Sequence, residues 1–329
     1  MAPDADAGKA KGHRSDPFAP LTSELLPVGD GHEVYVETVG RADGIPAVYL
    51  HGGPGSGCQP DHRRLFDPER FHAVLFDQRG AGRSRPKGGR EHNTVPHLIA
   101  DMETIRQKFG IQRWMIVGGS WGATLALAYA QAHPGRVTGI VLRATFLGTR
   151  QEIEGGFLGV LPRFHPGLSE DFLGVLPPEE RGNPMDAYFS RILDADPAVH
   201  GPAARAWGET ERILSEHAPN RVRLDLASLN STRALPATPF MEAHYFQNDC
   251  FMKPDQLLGE ARRLKAIPGI IVQGRYDLLC PPATSHALAA AWGSAEVRVV
   301  EGAGHSLYDP GVRDAVMKAI ADMASRITR

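Results

Sequence analysis

Polar and apolar residues alternate through Glu33-Val34-Tyr35-Val36-Glu37-Thr38, the period-two pattern of a half-exposed strand. Short apolar runs at 47–50, 73–76, 113–117, 140–142, 269–272 and 296–300 predict further strands. Between them, residues 98–109 place Ile99, Met102, Ile105 and Phe109 at helical spacing ahead of Gly110, a plausible stop. Residues 123–132 are small and apolar almost throughout, as in a helix buried against a sheet, and 312–325 predict a closing helix. Strands alternating with helices predict an α/β fold, a mostly parallel sheet flanked by helices. The pattern breaks at residues 150–262, which are rich in aromatic, acidic and proline residues. They offer helical fragments at 186–193, 203–214 and 255–264 without buried strands. The expected organisation is a core of residues 25–149 and 263–329, a helical cap of residues 150–262 over the carboxyl ends of the strands, and a loose tail of residues 1–24.

Composition narrows the partners. Of 329 residues, 42% are hydrophobic and 22% charged, as in an ordinary globular protein, and the formal charge of -2 gives no electrostatic footprint for nucleic acid. Cys58, Cys250 and Cys280 are too scattered for a disulfide framework and lack the CxxC spacing of a structural zinc site. Residues 1–20 contain no apolar stretch of signal-peptide type, and no run reaches the ~20 apolar residues of a membrane span. A cytoplasmic protein without a membrane partner is expected.

The sharpest chemical signal is Gly118-Gly119-Ser120-Trp121-Gly122, a G-x-S-x-G motif between a predicted strand and a predicted helix. That context is a nucleophile elbow, which presents Ser120 at the head of a helix. A serine hydroxyl needs a base, and His305 in Glu301-Gly302-Ala303-Gly304-His305-Ser306 follows the last strand. Asp277, just beyond the penultimate strand, completes the order Ser120, Asp277, His305 expected of an α/β-hydrolase fold. Asp309 is the weaker candidate for the acidic member, being too near His305 to come from a separate strand end. The loop His51-Gly52-Gly53-Pro54-Gly55-Ser56-Gly57 lacks the Gly-Lys-Ser/Thr ending of a phosphate loop and suits an oxyanion hole instead. The N–H groups of Gly53 and Trp121 are its expected donors. Asp77-Gln78-Arg79-Gly80-Ala81-Gly82-Arg83-Ser84 is not placed as a dinucleotide loop, and its charges are expected to hold neighbouring loops. His62, His92 and His97 lie near one another without an acidic partner at clear spacing, so no metal is expected there. Serine–histidine–aspartate chemistry needs no cofactor.

Taken together, HGGPG at 51–55, DQRGAGRS at 77–84, GGSWG at 118–122, GRYD ending at Asp277 and EGAGHS at 301–306 resemble the prolyl (proline) iminopeptidases of the α/β-hydrolase superfamily. The resemblance spans roughly residues 25–325. It implies removal of N-terminal proline from small peptides, with cap carboxylates binding the free α-amino group. By that resemblance Glu242, preceding Ala243-His244-Tyr245-Phe246, is one such carboxylate. Glu211 stands at the second position, with Glu209 as its competitor. Thr210 replaces a tryptophan of the family pattern. Phe146, in Leu142-Arg143-Ala144-Thr145-Phe146-Leu147, is the implied wall of the proline pocket, although Ala144 departs from the family's glycine. The rival readings are an esterase or amidase for small acyl compounds and, from another class, a non-catalytic ligand-binding module. Neither needs paired carboxylates in the cap.

Overall fold

The computed structural model describes residues 16–328. Its strands are β1 Thr22–Gly29, β2 His32–Gly40, β3 Ile45–Leu50, β4 Phe71–Phe76, β5 Trp114–Ser120, β6 Val137–Thr145, β7 Gly269–Gly274 and β8 Ala295–Val300. They form one sheet in the order β1-β2-β4-β3-β5-β6-β7-β8. β1 and β2 run antiparallel at one end, and every pair from β4 to β8 is parallel. Helices α1 Val95–Lys108 and α2 Trp121–Ala132 lie among the first strands. Between β6 and β7 come α3 Arg150–Glu154, α4 Leu161–Phe164, α5 Pro166–Gly174, α6 Pro184–Ile192, α7 Pro197–Ser215, α8 Thr238–Gln247 and α9 Gln256–Gly259. Helices α10 Pro282–Trp292 and α11 Val312–Ile327 flank β8 in sequence.

The apolar pattern explains the layers. β3 and β7 carry side chains buried on both faces, as parallel strands sandwiched by helices must. Helix α2 is buried from Trp121 to Gln131, so its all-round apolar sequence packs against sheet and helices alike. One face of the sheet packs with α1, α2 and α10; the other closes over Val316, Ile320 and Met323 of α11.

Several elements differ from the expected ones. β1 begins at Thr22, inside the segment expected to be tail, of which residues 1–15 lie outside the described residues. Pro27 obscures it, yet proline is tolerated because β1 is an edge strand with an irregular register between Pro27 and Gly29. Helix α7 begins at Pro197 rather than near 203 and carries Pro202 within its length. Residues 255–264 form the short α9 and a 3₁₀ turn at Ala261–Leu264 rather than one helix, and α10 was not anticipated.

The DQRG segment after β4 ties the sheet to its surroundings. Arg79 is almost wholly buried and forks onto Asp101 of α1, Nε to Oδ2 and Nη2 to Oδ1, both at 2.8 Å. It also donates to His92 O at 2.6 Å and Val28 O at 3.1 Å. Asp77 accepts from Cys58 N at 2.6 Å and from Arg83 N and Nε at 2.8 Å. Burial alone would raise the Asp77 carboxyl, but the Arg83 guanidinium and these N–H donors outweigh it and hold the group below its usual range. Removing one partner of a buried pair leaves an uncompensated charge. Asp101→Ala should therefore lower unfolding stability by about 3–5 kcal/mol in a denaturant titration. A loss under about 1 kcal/mol would mean that the pair is not structural.

Candidate active site

β5 runs into α2 with Ser120 at the joint, its backbone at φ 56°, ψ −124°. A side chain at Gly122 would strike the carbonyl oxygen of Leu50 on β3, and one at Gly118 would strike that of Gly122. A Cβ at Gly119 would lie 2.7 Å from the Arg143 guanidinium. Gly118 and Gly122 are thus demanded by close backbone approach, while at Gly119 the Arg143 side chain would have to give way. β6 answers with a bulge: Gly119 faces Arg143 and Ser120 faces Thr145, while Ala144 between them takes φ 50°. Ala144, where the resemblance expected glycine, holds that left-handed conformation with a side chain.

Asp277 follows β7 and His305 follows β8. His305 Nδ1 lies 2.9 Å from Asp277 Oδ2 and 3.1 Å from Oδ1. Oδ1 also accepts from the N–H groups of Leu279 at 3.0 Å and Cys280 at 2.7 Å, fixing the carboxylate. An acceptor at Nδ1 puts the imidazole proton there and leaves Nε2 able to take another. Arg143 donates to His305 O, tying the histidine loop to the end of β6. Asp309 instead accepts from Gly304 N at 2.6 Å, so it braces the loop and not the ring. Ser120 and His305 line one cleft of about 430 Å³, together with Gly53, Arg143, Glu211, Glu242 and Tyr308. No hydrogen bond joins Ser120 to His305 among the described residues; such contacts tighten when substrate fills the site.

Gly53 sits in that cleft at φ 104°, and Trp121 opens α2, where first-turn N–H groups have no intrahelical acceptor. The two loops are locked together from beneath. Trp121 Nε1 donates to Gln78 Oε1 at 2.8 Å, Gln78 Nε2 to His51 O at 3.0 Å, and Gln78 N to His51 Nε2 at 3.0 Å. Burial lowers the pKa of His51, keeping the ring neutral and able to accept. Gln78 was not singled out from sequence; no local pattern marks a side chain that bridges two distant loops.

Helices α7 and α8 supply the opposite wall. Glu242 is fully buried; Oε2 accepts from Trp207 Nε1 at 2.6 Å and Oε1 has no protein partner among the described residues. Trp207 stacks on Phe157 at 4.2 Å within an aromatic cluster, which holds the indole in place. Glu211 also lines the cleft with Glu242, whereas Glu209 pairs with Arg212 at 2.8 Å on a neighbouring surface. The signal lay in the spacing: Trp207 and Glu211 are one helical turn apart on one face, and Glu209 falls on the other. Burial raises the pKa of both cleft carboxyls, and the charge of Glu211 pushes Glu242 further up.

Beside Ser120 a small apolar cavity of about 40 Å³ is walled by Phe146, Ile153, Phe157, Phe246 and Leu279. Phe146 meets Phe246 edge-on at 5.7 Å. Its segment is fixed by Thr124 Oγ1, which donates to Phe146 O at 2.7 Å, and by Glu152, which accepts from Leu147 N at 3.1 Å. Glu152 closes a capping box with Thr149, a T-x-x-E pattern legible in the sequence but not drawn from it.

A buried carboxyl, Glu242, and a half-buried one, Glu211, thus share this wall, the pKa of each raised above its usual range. Raised pKa values favour the neutral forms in the free protein, and an ammonium bound between the two would favour both charged forms and displace a proton. Mixing Ser120→Ala protein with a prolyl arylamide near pH 6–7, in weak buffer, should release up to about one proton per chain. Affinity should correspondingly strengthen as pH rises through this range. An absence of proton release would show that the pair is already fully ionised.

A family model described as alpha/beta hydrolase fold matches residues 46–312. A proline iminopeptidase of Arabidopsis thaliana is 42% identical over 298 residues, 90% of this chain and 78% of its own length. A proline iminopeptidase of Neisseria meningitidis serogroup B is 41% identical over 307 residues, covering 92% of this chain and 96% of that protein. Among solved structures, the proline iminopeptidase of Mycobacterium smegmatis superposes with a TM-score of 0.60 at 18% identity, over 93% of this chain and 99% of that one. A proline iminopeptidase-related protein of Thermus thermophilus gives 0.61 at 22%, over 93% and 98%. The structural likenesses speak for the fold, and the sequence relatives, at about twice the identity, for the family. The chain belongs to the proline iminopeptidases, within the α/β-hydrolase fold.

Proposed function

We propose that this protein is a serine aminopeptidase that hydrolyses proline from the free N-terminus of small peptides. The observation that carries the reading is the orphaned Glu242 Oε1, buried beside Glu211 across the cleft from Ser120. A carboxylate withheld from water without a partner is costly, and a substrate ammonium is the partner it lacks. The relatives named proline iminopeptidase supply the identity of the imino acid, and the cavity beside Phe146 is where its ring would sit. In this reading residues 150–262 act as a cap on a core of residues 25–149 and 263–329.

The peptide enters with its ammonium on Glu242 and Glu211 and its proline ring against Phe146. Ser120 Oγ attacks the prolyl carbonyl carbon as its proton passes to His305 Nε2, and Asp277 stabilises the imidazolium. The oxyanion is held by the N–H groups of Gly53 and Trp121. Collapse breaks the C–N bond, and His305 returns the proton to the leaving nitrogen. Water then attacks the prolyl ester of Ser120, giving its proton to His305, and the serine regains its own as free proline departs. No cofactor takes part in these steps. A cytoplasmic location fits three free, buried thiols, and no helix of the described residues is long and apolar enough to cross a membrane.

The test compares a prolyl arylamide, its N-acetyl derivative and a small uncharged ester on wild type, Ser120→Ala and Glu242→Gln. Ser120→Ala should lose about 10⁴-fold or more on every substrate. Glu242→Gln should lose about 10²-fold in kcat/KM on the free-amine arylamide and little on the ester. Equal losses on both would refute selective amine binding. Equal turnover of acetylated and free-amine prolyl substrates would make the protein an esterase or amidase of the same fold.

A further inference from the structure

We propose that Asp30, His92 and His97 form a binding site for a transition-metal dication of the zinc type, outside the Ser120 cleft. The sequence offered His62, His92 and His97 without an acidic partner. The fold rearranges that set: His62 lines the Ser120 cleft, and Asp30, from the turn joining β1 to β2, comes to His92 and His97. One ligand atom from each of the three lies within 4.8 Å of the other two.

The spacing is close to what a metal requires. Two ligands on a tetrahedral zinc, each about 2.0–2.1 Å away, stand roughly 3.4 Å apart, and two imidazole rings bound this way have centres about 5 Å apart. Here His97 Nε2 is 3.9 Å from Asp30 Oδ2, and the rings of His92 and His97 meet at 5.7 Å with an interplanar angle of 71°. Pairs separated by up to 4.8 Å would have to close by at most about 1.4 Å to surround an ion, a movement within reach of side-chain rotation.

The supporting contacts also suit ligation. His97 Nδ1 is hydrogen-bonded to Thr94 Oγ1 at 2.7 Å, leaving Nε2 directed to Asp30. Arg79 holds the other two ligands, through Asp30 Oδ2 at 3.2 Å and the backbone oxygen of His92 at 2.6 Å. Its positive charge, which would oppose a cation, is matched by the two-pronged contact with Asp101. Asp30 Oδ1 makes no hydrogen bond among the described residues and is available as the third donor. Two imidazoles and one carboxylate favour zinc, cobalt or nickel over magnesium or calcium.

An ion there would clip the β1–β2 edge hairpin to the first turn of α1. The consequence reaches the cap: Asn93, next to His92, accepts from Tyr245 Oη at 2.7 Å through Oδ1, and its backbone oxygen is 2.8 Å from His244 Nε2. Tyr245 and His244 belong to α8, the helix that carries Glu242.

The experiment titrates Zn²⁺, and separately Mg²⁺, into chelator-treated full-length protein by calorimetry, with Co²⁺ absorption reporting the ligand field. Wild type, His97→Gln, His92→Gln and His305→Gln are compared. The last removes the other cluster of candidate donors, Asp277, Cys280 and His305. Wild type and His305→Gln should bind one zinc per chain, and His97→Gln and His92→Gln should each bind it at least about tenfold more weakly. Zinc at about 100-fold over Kd should raise the Tm of wild type by about 3–5 °C, and magnesium should not. Equal zinc affinity in wild type and both single variants, or loss of binding only in His305→Gln, would overturn the proposal. Prolyl arylamide turnover by His97→Gln should stay near wild type, so failure of the metal site leaves the proposed activity standing.

Discussion

Ser120 carries a backbone conformation, φ 56°, ψ −124°, that an L-residue adopts only under constraint, at a cost of about 1–3 kcal/mol. The constraint is steric. β3 presses its Leu50 carbonyl against Gly122, α2 turns the Gly122 carbonyl onto Gly118, and Arg143 of β6 fills the space beside Gly119. Three neighbouring elements therefore hold the turn that lifts the hydroxyl to the carboxyl ends of the parallel strands. The loops after β3, β7 and β8 are arranged around that hydroxyl, and the helices between β6 and β7 face it.

Beneath the elbow lies a polar layer with few unsatisfied groups. Gln78 joins the Trp121 indole to the His51 backbone and ring, so the glycine-rich loop and the head of α2 move as one piece. Asp77 and Arg79 on either side carry opposite charges into the interior, each matched by several donors or acceptors. A hydrogen-bonded network of this kind is rigid because breaking any one member strands a buried charge or amide. Such rigidity would serve the proposed oxyanion hole, which depends on donors that need not reorganise as charge develops.

The opposite wall works through the reverse principle. Glu242 is left one hydrogen bond short, in surroundings made apolar by Trp207, Phe157 and Phe189. Low polarity raises the pKa of both carboxyls, and an ammonium bound between them would favour their charged forms. In the proposed function, selection for a chain terminus comes from that deficit, since an acylated nitrogen cannot supply the missing charge.

Much of this was legible along the chain. The strands from β2 to β8 announced themselves by alternation or by short apolar runs, because local pattern reflects burial on one or two faces. Ser120, Asp277 and His305 stood out since each follows a strand, and the end of a parallel strand is where such side chains converge. β1 was hidden by Pro27, whose missing N–H matters less at an edge than inside a sheet. What sequence could not decide was which distant groups meet. The choice between Glu211 and Glu209 depended on which face of α7 turns to the cleft. The pairing of Trp207 with Glu242, of Gln78 with Trp121 and of Arg143 with the His305 loop arose from packing between separate elements. Asp30 reached His97 only because the sheet places the β1–β2 turn beside α1. Periodicity records how each segment meets solvent and core, while contacts between segments exist only once the chain has closed on itself.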